Sequence, residues 1–442
     1  MSTSTTQLRR GAKPPREPMP HAARAWTALG LGLGAQISGT VFVSAPAFLI
    51  PLLHTERGLS LAEAGLLAST PTIGMVLTLI AWGALADRIG ERWVIAGGLA
   101  LTAIAAFAAV QAQGYVALGL FFLLGGAASA STNAASGRVV VGWFPKDRRG
   151  LAMGIRQMAQ PLGVTIAALC VPQLASGVGV GAALAVPAVL TAVFAVACAI
   201  GIRNPPRAPR AAAPDVARAA NPYRSSGFLW RIHAVSVLLV VPQFTLSTFG
   251  LVWLIAEIGM DPVIAGVLVG VAQFVGAIGR IGVGVLSDRV GSRVRPLAWV
   301  AVAAAAMMLL LAGLDAVLRA TGAVPDATTG AVPDAAAPAS SGPTVLAALI
   351  AAGVLFVIAT SVVVADNGLA FTSVAEVAGS AWAGRALGAQ NTAQFVAASA
   401  VGPAVGALIG VLGFPLAFAA VALCPVVAVP LIPRASAEHD RL

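Results

Sequence analysis

Twelve long apolar runs dominate the chain and restrict what it can fold into. They fall at roughly 27–52, 62–85, 93–112, 115–142, 151–175 and 180–202, and then at 232–256, 263–286, 296–314, 344–372, 386–409 and 411–433. Each approaches or exceeds the ~20 residues that an α-helix needs to cross ~30 Å of hydrocarbon. Backbone N–H and C=O groups find no water there, so a spanning segment must satisfy its own hydrogen bonds, and the runs are predicted to be helices. A transmembrane barrel would instead show ~10-residue alternating segments. Charged residues make up 10% of the 442, against about 25% in a soluble domain. That is too few for a water-facing surface, and a soluble enzyme, a disordered chain and a nucleic-acid-binding module are excluded.

The net charge of +10 is sorted by loop. With both termini placed in the cytoplasm, 22 of the 27 Lys and Arg fall in the tails and in the loops on that side. Only Arg57 and Arg319 fall on the other side, while Arg138, Arg156 and Arg280 lie within predicted helices. This asymmetry orients the chain by the positive-inside rule and predicts a multi-pass protein of the cytoplasmic membrane, with basic loops against anionic lipid and no nucleic-acid partner. Residues 1–25 read as a disordered basic tail, 26–202 and 232–433 as two six-helix halves, 203–231 as a cytoplasmic linker and 434–442 as a cytoplasmic tail. Residues 315–343 hold a Gly/Pro tandem and read as a flexible external loop. Cys170, Cys198 and Cys424 lie in apolar runs as small hydrophobes. The four histidines, at tails and helix ends, read as surface residues.

The halves repeat one another. GALADRIGER (Gly83–Arg92) closes the second run and GVLSDRVGSR (Gly284–Arg293) closes the eighth, 201 residues later. The same offset relates Gly58 to Gly259 and Gly65 to Gly266. Later in the chain the offset is 234, relating Gly150–Gln160 to Gly384–Gln394, Asn133 to Asn367 and Thr132 to Asp366. One insertion of about the length of the external loop reconciles the two offsets. Two copies of G-x-L-[AS]-D-R-x-G-x-R in a 6+6 chain resemble the major facilitator superfamily, across essentially residues 26–433. The resemblance implies an all-α membrane fold of twelve transmembrane helices in two pseudo-symmetric six-helix bundles, rocking about a midplane site. It also implies that helices 1, 4, 7 and 10 line a central cavity, flanked by 2, 5, 8 and 11. In the decapeptides, Gly83, Gly90, Gly284 and Gly291 allow tight turns and close helix approach. Asp87, Arg88, Arg92, Asp288, Arg289 and Arg293 are candidates for a latch made in only one rocking state.

Charges within a span are expensive and so are functional candidates. Arg138, Arg156, Arg280 and Asp366 lie about 10–15 Å from the cytoplasmic surface by helical rise, all on helices the resemblance assigns to the cavity. Three cations against one anion predict a site that favours an anion, which arginine can grip bidentately. Arg280 resembles the carboxylate-binding position of the monocarboxylate and oxalate–formate transporters; a gating ion pair with Asp366 is the other reading. Arg156, Gln157, Asn133, Gln390, Asn391, Gln36 and Gln243 complete the candidate substrate site. Asp366 and Arg138 are candidates for proton coupling or gating. No phosphate loop, nucleophile–base arrangement or metal cluster is present, so neither catalysis nor a cofactor is expected. The sequence therefore reads as a secondary transporter, a symporter of a small organic anion with protons as the candidate coupling ion. Two other readings stand beside it: a proton-coupled exporter of drugs or hydrophobic metabolites, and a non-transporting receptor or scaffold.

Overall fold

The computed structural model describes residues 22–112, 114–144, 152, 155–204, 221–225, 227–321 and 343–434. The first 21 residues, residues 205–220 of the linker and the 322–342 tandem lie outside this set, as do the side chains of Asp87 and Asp288. The first half comprises α1 (Ala22–Phe48), α2 (Ile50–Arg57), α3 (Leu61–Ile89), α4 (Glu91–Val110), α5 (Tyr115–Trp143), α6 (Ala159–Gly177) and α7 (Val180–Gly201). A short α8 (Pro222–Ser225) precedes α9 (Phe228–Val252), which ends in a π-turn at Trp253–Glu257. Then follow α10 (Pro262–Val290), α11 (Val294–Ala320), α12 (Pro343–Val363) and α13 (Asp366–Leu431).

Eleven helical stretches among the described residues are long and apolar enough to cross a membrane. The last, Arg385–Leu431, has 47 residues. At 1.5 Å per residue it would extend about 70 Å, enough for two crossings, and Gly413 within it turns left-handed at φ 74°. Twelve crossings result. The protein is an all-α, multi-pass membrane protein of two six-helix bundles.

Local chemistry explains where the repeated helices start. Ser60 caps α3 in a capping box with Glu63. Asp261, 201 residues later, caps α10 through the N–H groups of Val263 and Ile264, with Pro262 in the first turn. Both caps satisfy N–H groups that a helix start leaves unpaired. Just before them, Gly58 (φ 66°) and Gly259 (φ 73°) supply matching left-handed turns.

The halves meet through α3 against α13 and through α6 against α10. A Cβ added to Gly65 would stand 2.2 Å from the Gly402 carbonyl oxygen, and one added to Gly402 would stand 2.1 Å from that of Gly65. Gly266 presses on Ala168 in the same way, with its added Cβ 2.8 Å from the Ala168 oxygen. These two contacts are repeat equivalents at offsets of 201 and 234. All lie toward the ends of the bundles away from the termini. There, one continuous apolar core joins residues of both halves. Toward the termini the cores are separate: one formed by α9, α11 and α13, the others by first-half helices. The protein is therefore sealed on the face away from the termini and parted on the terminal face.

The sealed end corrects the predicted external loop. Residues 315–320 continue α11, and Arg319 is not a loop residue. Its guanidinium donates to Glu257 and, at 3.2 Å, to Asp315. Asp315 is fully buried and also accepts from the Trp253 indole at 3.1 Å. The network satisfies polar atoms at the π-turn and so favours the helical path over a loop.

Gly402→Leu should push α3 and α13 apart and disfavour the sealed state. A penalty of only about 1.4 kcal/mol changes a population tenfold. The expected outcome is a longer distance between spin labels at Val178 and Val263 on that face, measured by electron-electron resonance.

Candidate functional site

A cavity lies between the halves, with about 1140 Å³ of empty space including the part open to solvent. Gln36, Asn133 and Gln160 line it from the first half, and Gln243, Gln273 and Arg280 from the second. Hydroxyls of Thr40, Ser69, Thr72, Thr132, Ser247 and Thr248 fill much of the remaining wall. Among the described lining residues Arg280 is the one charged group, and none is acidic. The expectation of three arginines at one level is thereby narrowed to one on the wall.

Arg280 sits on α10, beside an interruption in the tenth span. The span breaks at Val364–Ala365, between α12 and α13. Arg280 Nε donates to the Val364 carbonyl oxygen at 2.9 Å, an acceptor released by the break. Asp366 opens α13 immediately afterwards. It is 1% exposed, and neither carboxylate oxygen has a hydrogen-bond partner. Its charge interacts with that of Arg280. A buried carboxylate at a half-helix N-terminus is favoured by the helix dipole.

The amides form two matched pairs. Gln36 donates to Asn133 Oδ1 at 3.1 Å. Asn367 donates to Gln243 Oε1 at 2.8 Å, and Gln394 donates to Asn367 Oδ1 at 3.0 Å. Arg156 lies outside the cavity wall, bordering a small recess with Ser136, to which its Nε donates at 2.8 Å. Arg138 is half-buried on α5, Gln157 is exposed and Asn391 is half-buried, all three off the wall.

Gln390 is also off the wall. It accepts from His233 Nδ1, while the Tyr223 hydroxyl meets His233 Nε2 at 2.9 Å. His233 is 8% exposed, which corrects its reading as a surface residue. Tyr223 stacks on His233 and packs edge-on against Trp230 and Trp382, fastening α8 to the second half. Partial burial raises the Tyr223 phenol above its usual range.

The decapeptide loops make contacts within their own halves. Arg92 Nε donates to the Ala199 carbonyl at 2.7 Å, and its guanidinium lies 4.7 Å over the Trp93 ring. Arg293 donates to both Glu376 oxygens, at 3.1 and 3.4 Å, and to Ser287 at 3.0 Å. Gly90 and Gly291 make the turns, at φ 91° and 64°. An added Cβ at Gly83 or Gly284 would meet nothing within 4 Å, so neither makes a close approach in this state. Arg88 and Arg289 are exposed.

Sequence reasoning missed Gln273 and put Gln160 beside the site without counting it among the substrate-binding residues. Gln273 precedes Arg280 by seven residues, two helical turns, and so shares its face. Gln160 is the repeat partner of Gln394.

Residues 31–403 match the Major Facilitator Superfamily. The chain belongs to that superfamily. An uncharacterized MFS-type transporter of Mycobacterium tuberculosis is 46% identical over 419 residues, 95% of this chain and 86% of the relative. More distant matches are a probable nitrate transporter of Staphylococcus carnosus (28% identity, 36% of this chain and 41% of the relative) and the hexuronate transporter of Bacillus subtilis (22%, 56% and 60%). Among solved structures, an inward-facing, unoccupied bacterial homologue of the human lysosomal transporter Spinster shares the fold, with a TM-score of 0.72 and 16% identity, covering 98% of this chain and 99% of that one. Family and fold make this major facilitator protein a transporter rather than an enzyme.

His233→Ala should leave Gln390, whose Nε2 already lacks a partner, without its remaining bond. A loss of about 1–3 kcal/mol is expected for stranding a buried polar group. A lowered melting temperature of the purified transporter checks it.

Proposed function

We propose that this transporter carries a small, hydroxylated organic carboxylate across the plasma membrane by alternating access, in symport with protons. The observation that carries the reading is Arg280, the one cation among the described residues of a cavity wall otherwise built of amides, hydroxyls and apolar groups. Its guanidinium uses Nε on Val364 and has Nη donors left for a carboxylate. The amides and hydroxyls suit a ligand rich in oxygen. The names of the nitrate and hexuronate relatives support an anion, and the polar wall favours the sugar acid.

Coupling follows from Asp366. Ionised, it competes with the substrate carboxylate for the positive charge of Arg280. Protonated, it leaves that charge to the substrate. Proton and anion then bind together and leave together, which is symport. The basic loops favour both termini in the cytoplasm, and the parted face is then the inward one. In the same reading, the decapeptide loops, led by Asp87 and Asp288, engage the opposite half when the protein opens outward.

Binding of D-glucuronate to the purified protein tests the reading. Arg280→Ala should weaken it about 10- to 100-fold, the equivalent of a charged hydrogen bond of about 1.5–3 kcal/mol. Stabilisation by lipophilic cations alone, or unchanged affinity in Arg280→Ala, would overturn it. Asp366→Asn should bind D-glucuronate at neutral pH as the wild type does in acid, with a flattened pH profile. A wild-type pH dependence in that variant removes Asp366 from coupling.

A further inference from the structure

Arg156 resists the simple reading that every buried arginine touches substrate, because it is absent from the cavity wall. Its hydrogen bonds lead toward the wall instead. Arg156 Nε–H donates to Ser136 Oγ at 2.8 Å, and its Nη2–H to the Asn133 backbone carbonyl at 3.4 Å. A guanidinium can only donate, so Ser136 must accept and has its own proton to give elsewhere. It gives that proton to Gln36 Oε1, at 3.3 Å. Gln36 is thereby oriented with its oxygen toward Ser136 and its Nε2 toward Asn133 Oδ1, at 3.1 Å. Asn133 Oδ1 is then occupied as an acceptor. Among the described residues no hydrogen-bond partner meets its Nδ2, and Asn133 lines the cavity. With Ser136 donating to Gln36, each later link dictates the direction of the next.

The second half holds the equivalent chain without the cation. Gln394 donates to Asn367, and Asn367 donates to Gln243 on the wall. Its inner end is Ser236, which meets Gln394 Nε2 at 2.5 Å. A hydroxyl can donate or accept, so this chain can run either way and present Gln243 as donor or acceptor.

We infer that Arg156 is a positioning residue, which holds Asn133 as a permanent N–H donor to substrate oxygen through Ser136 and Gln36. The inference rests on the anion reading of the cavity and deepens it. The first half contributes a donor of fixed direction, the second half contributes the charge of Arg280, and Gln243 adapts to whichever hydroxyl of the ligand faces it.

The test is D-glucuronate affinity of the purified full-length transporter in Arg156→Met, Ser136→Ala, the double variant and Arg156→Lys. Each of the first two should weaken binding by about tenfold, and the double by no more than either, because both cut one chain. Arg156→Lys should restore most of the affinity, since an ammonium also only donates. Multiplicative losses in the double variant, or no recovery of affinity in Arg156→Lys, would overturn the inference. Unchanged affinity in Ser136→Ala overturns it too, and that variant serves alone if Arg156→Met does not fold. Loss of binding in Arg280→Ala with full binding in Ser136→Ala would sink the positioning role and leave the anion reading standing. Absence of D-glucuronate binding to the wild type would sink both.

Discussion

Contact between bare backbones at Gly65 and Gly402, repeated at Gly266 and Ala168, is what the rest of the molecule depends on. Lipid tails are as apolar as leucine, so helices in a bilayer gain little from hiding apolar side chains from one another. They associate where backbones approach closely. Placing such contacts at one end only gives the halves a shared core there and separate cores at the other end. The cavity is the wedge that remains. Its position between the halves follows from packing and needs no contribution from the polar residues that line it.

Buried charge in this protein takes two forms. Arg319 is surrounded by acceptors, with Glu257 and Asp315 both bound and Asp315 held again by Trp253. Each acid there is tied to the same guanidinium, and the network works as structure. Arg280 has one backbone acceptor, and Asp366 has none of its hydrogen bonds made. A charge in a helix centre costs about 2.5–3.5 kcal/mol on insertion scales. In the proposed reading, the incompletely partnered pair at the cavity is what substrate or proton completes. Degree of satisfaction, more than depth, separates the two kinds of site.

Much of this was legible in the sequence, because repeats carry geometry. The offset of 201 pairs Gly58 with Gly259 and Gly65 with Gly266, and both pairs have matching roles. The offset of 234 pairs Asn133 with Asn367, and both bond to the glutamine of the preceding cavity helix. Depth along a helix was legible too, but the direction of a side chain was not. Helical rise put Arg156 and Arg280 at one level, yet only Arg280 of the two reaches the wall, because rotation about the helix axis depends on packing. Asp315 and Arg319 were hidden by the adjoining Gly/Pro tandem, whose loop signal overran the last helical turn. His233 sat near a predicted helix end, and its burial depends on Tyr223, a linker residue.

The two halves depart from symmetry where charge is concerned. The first-half equivalent of Arg280 is Leu79, and that of Asp366 is Thr132. The fourth span runs unbroken through α5, whereas the tenth is interrupted at Val364–Ala365. Backbone interruption and titratable pair thus belong to one half, and the cavity face of the other is neutral. In the proposed alternating access, the halves part around the substrate. Had the charges been divided between the halves, each cycle would have to separate an ion pair in a medium of low dielectric, where that separation is expensive. With both charges on the second half, and the cavity amides paired within their own halves, parting the halves at the cavity separates no such pair.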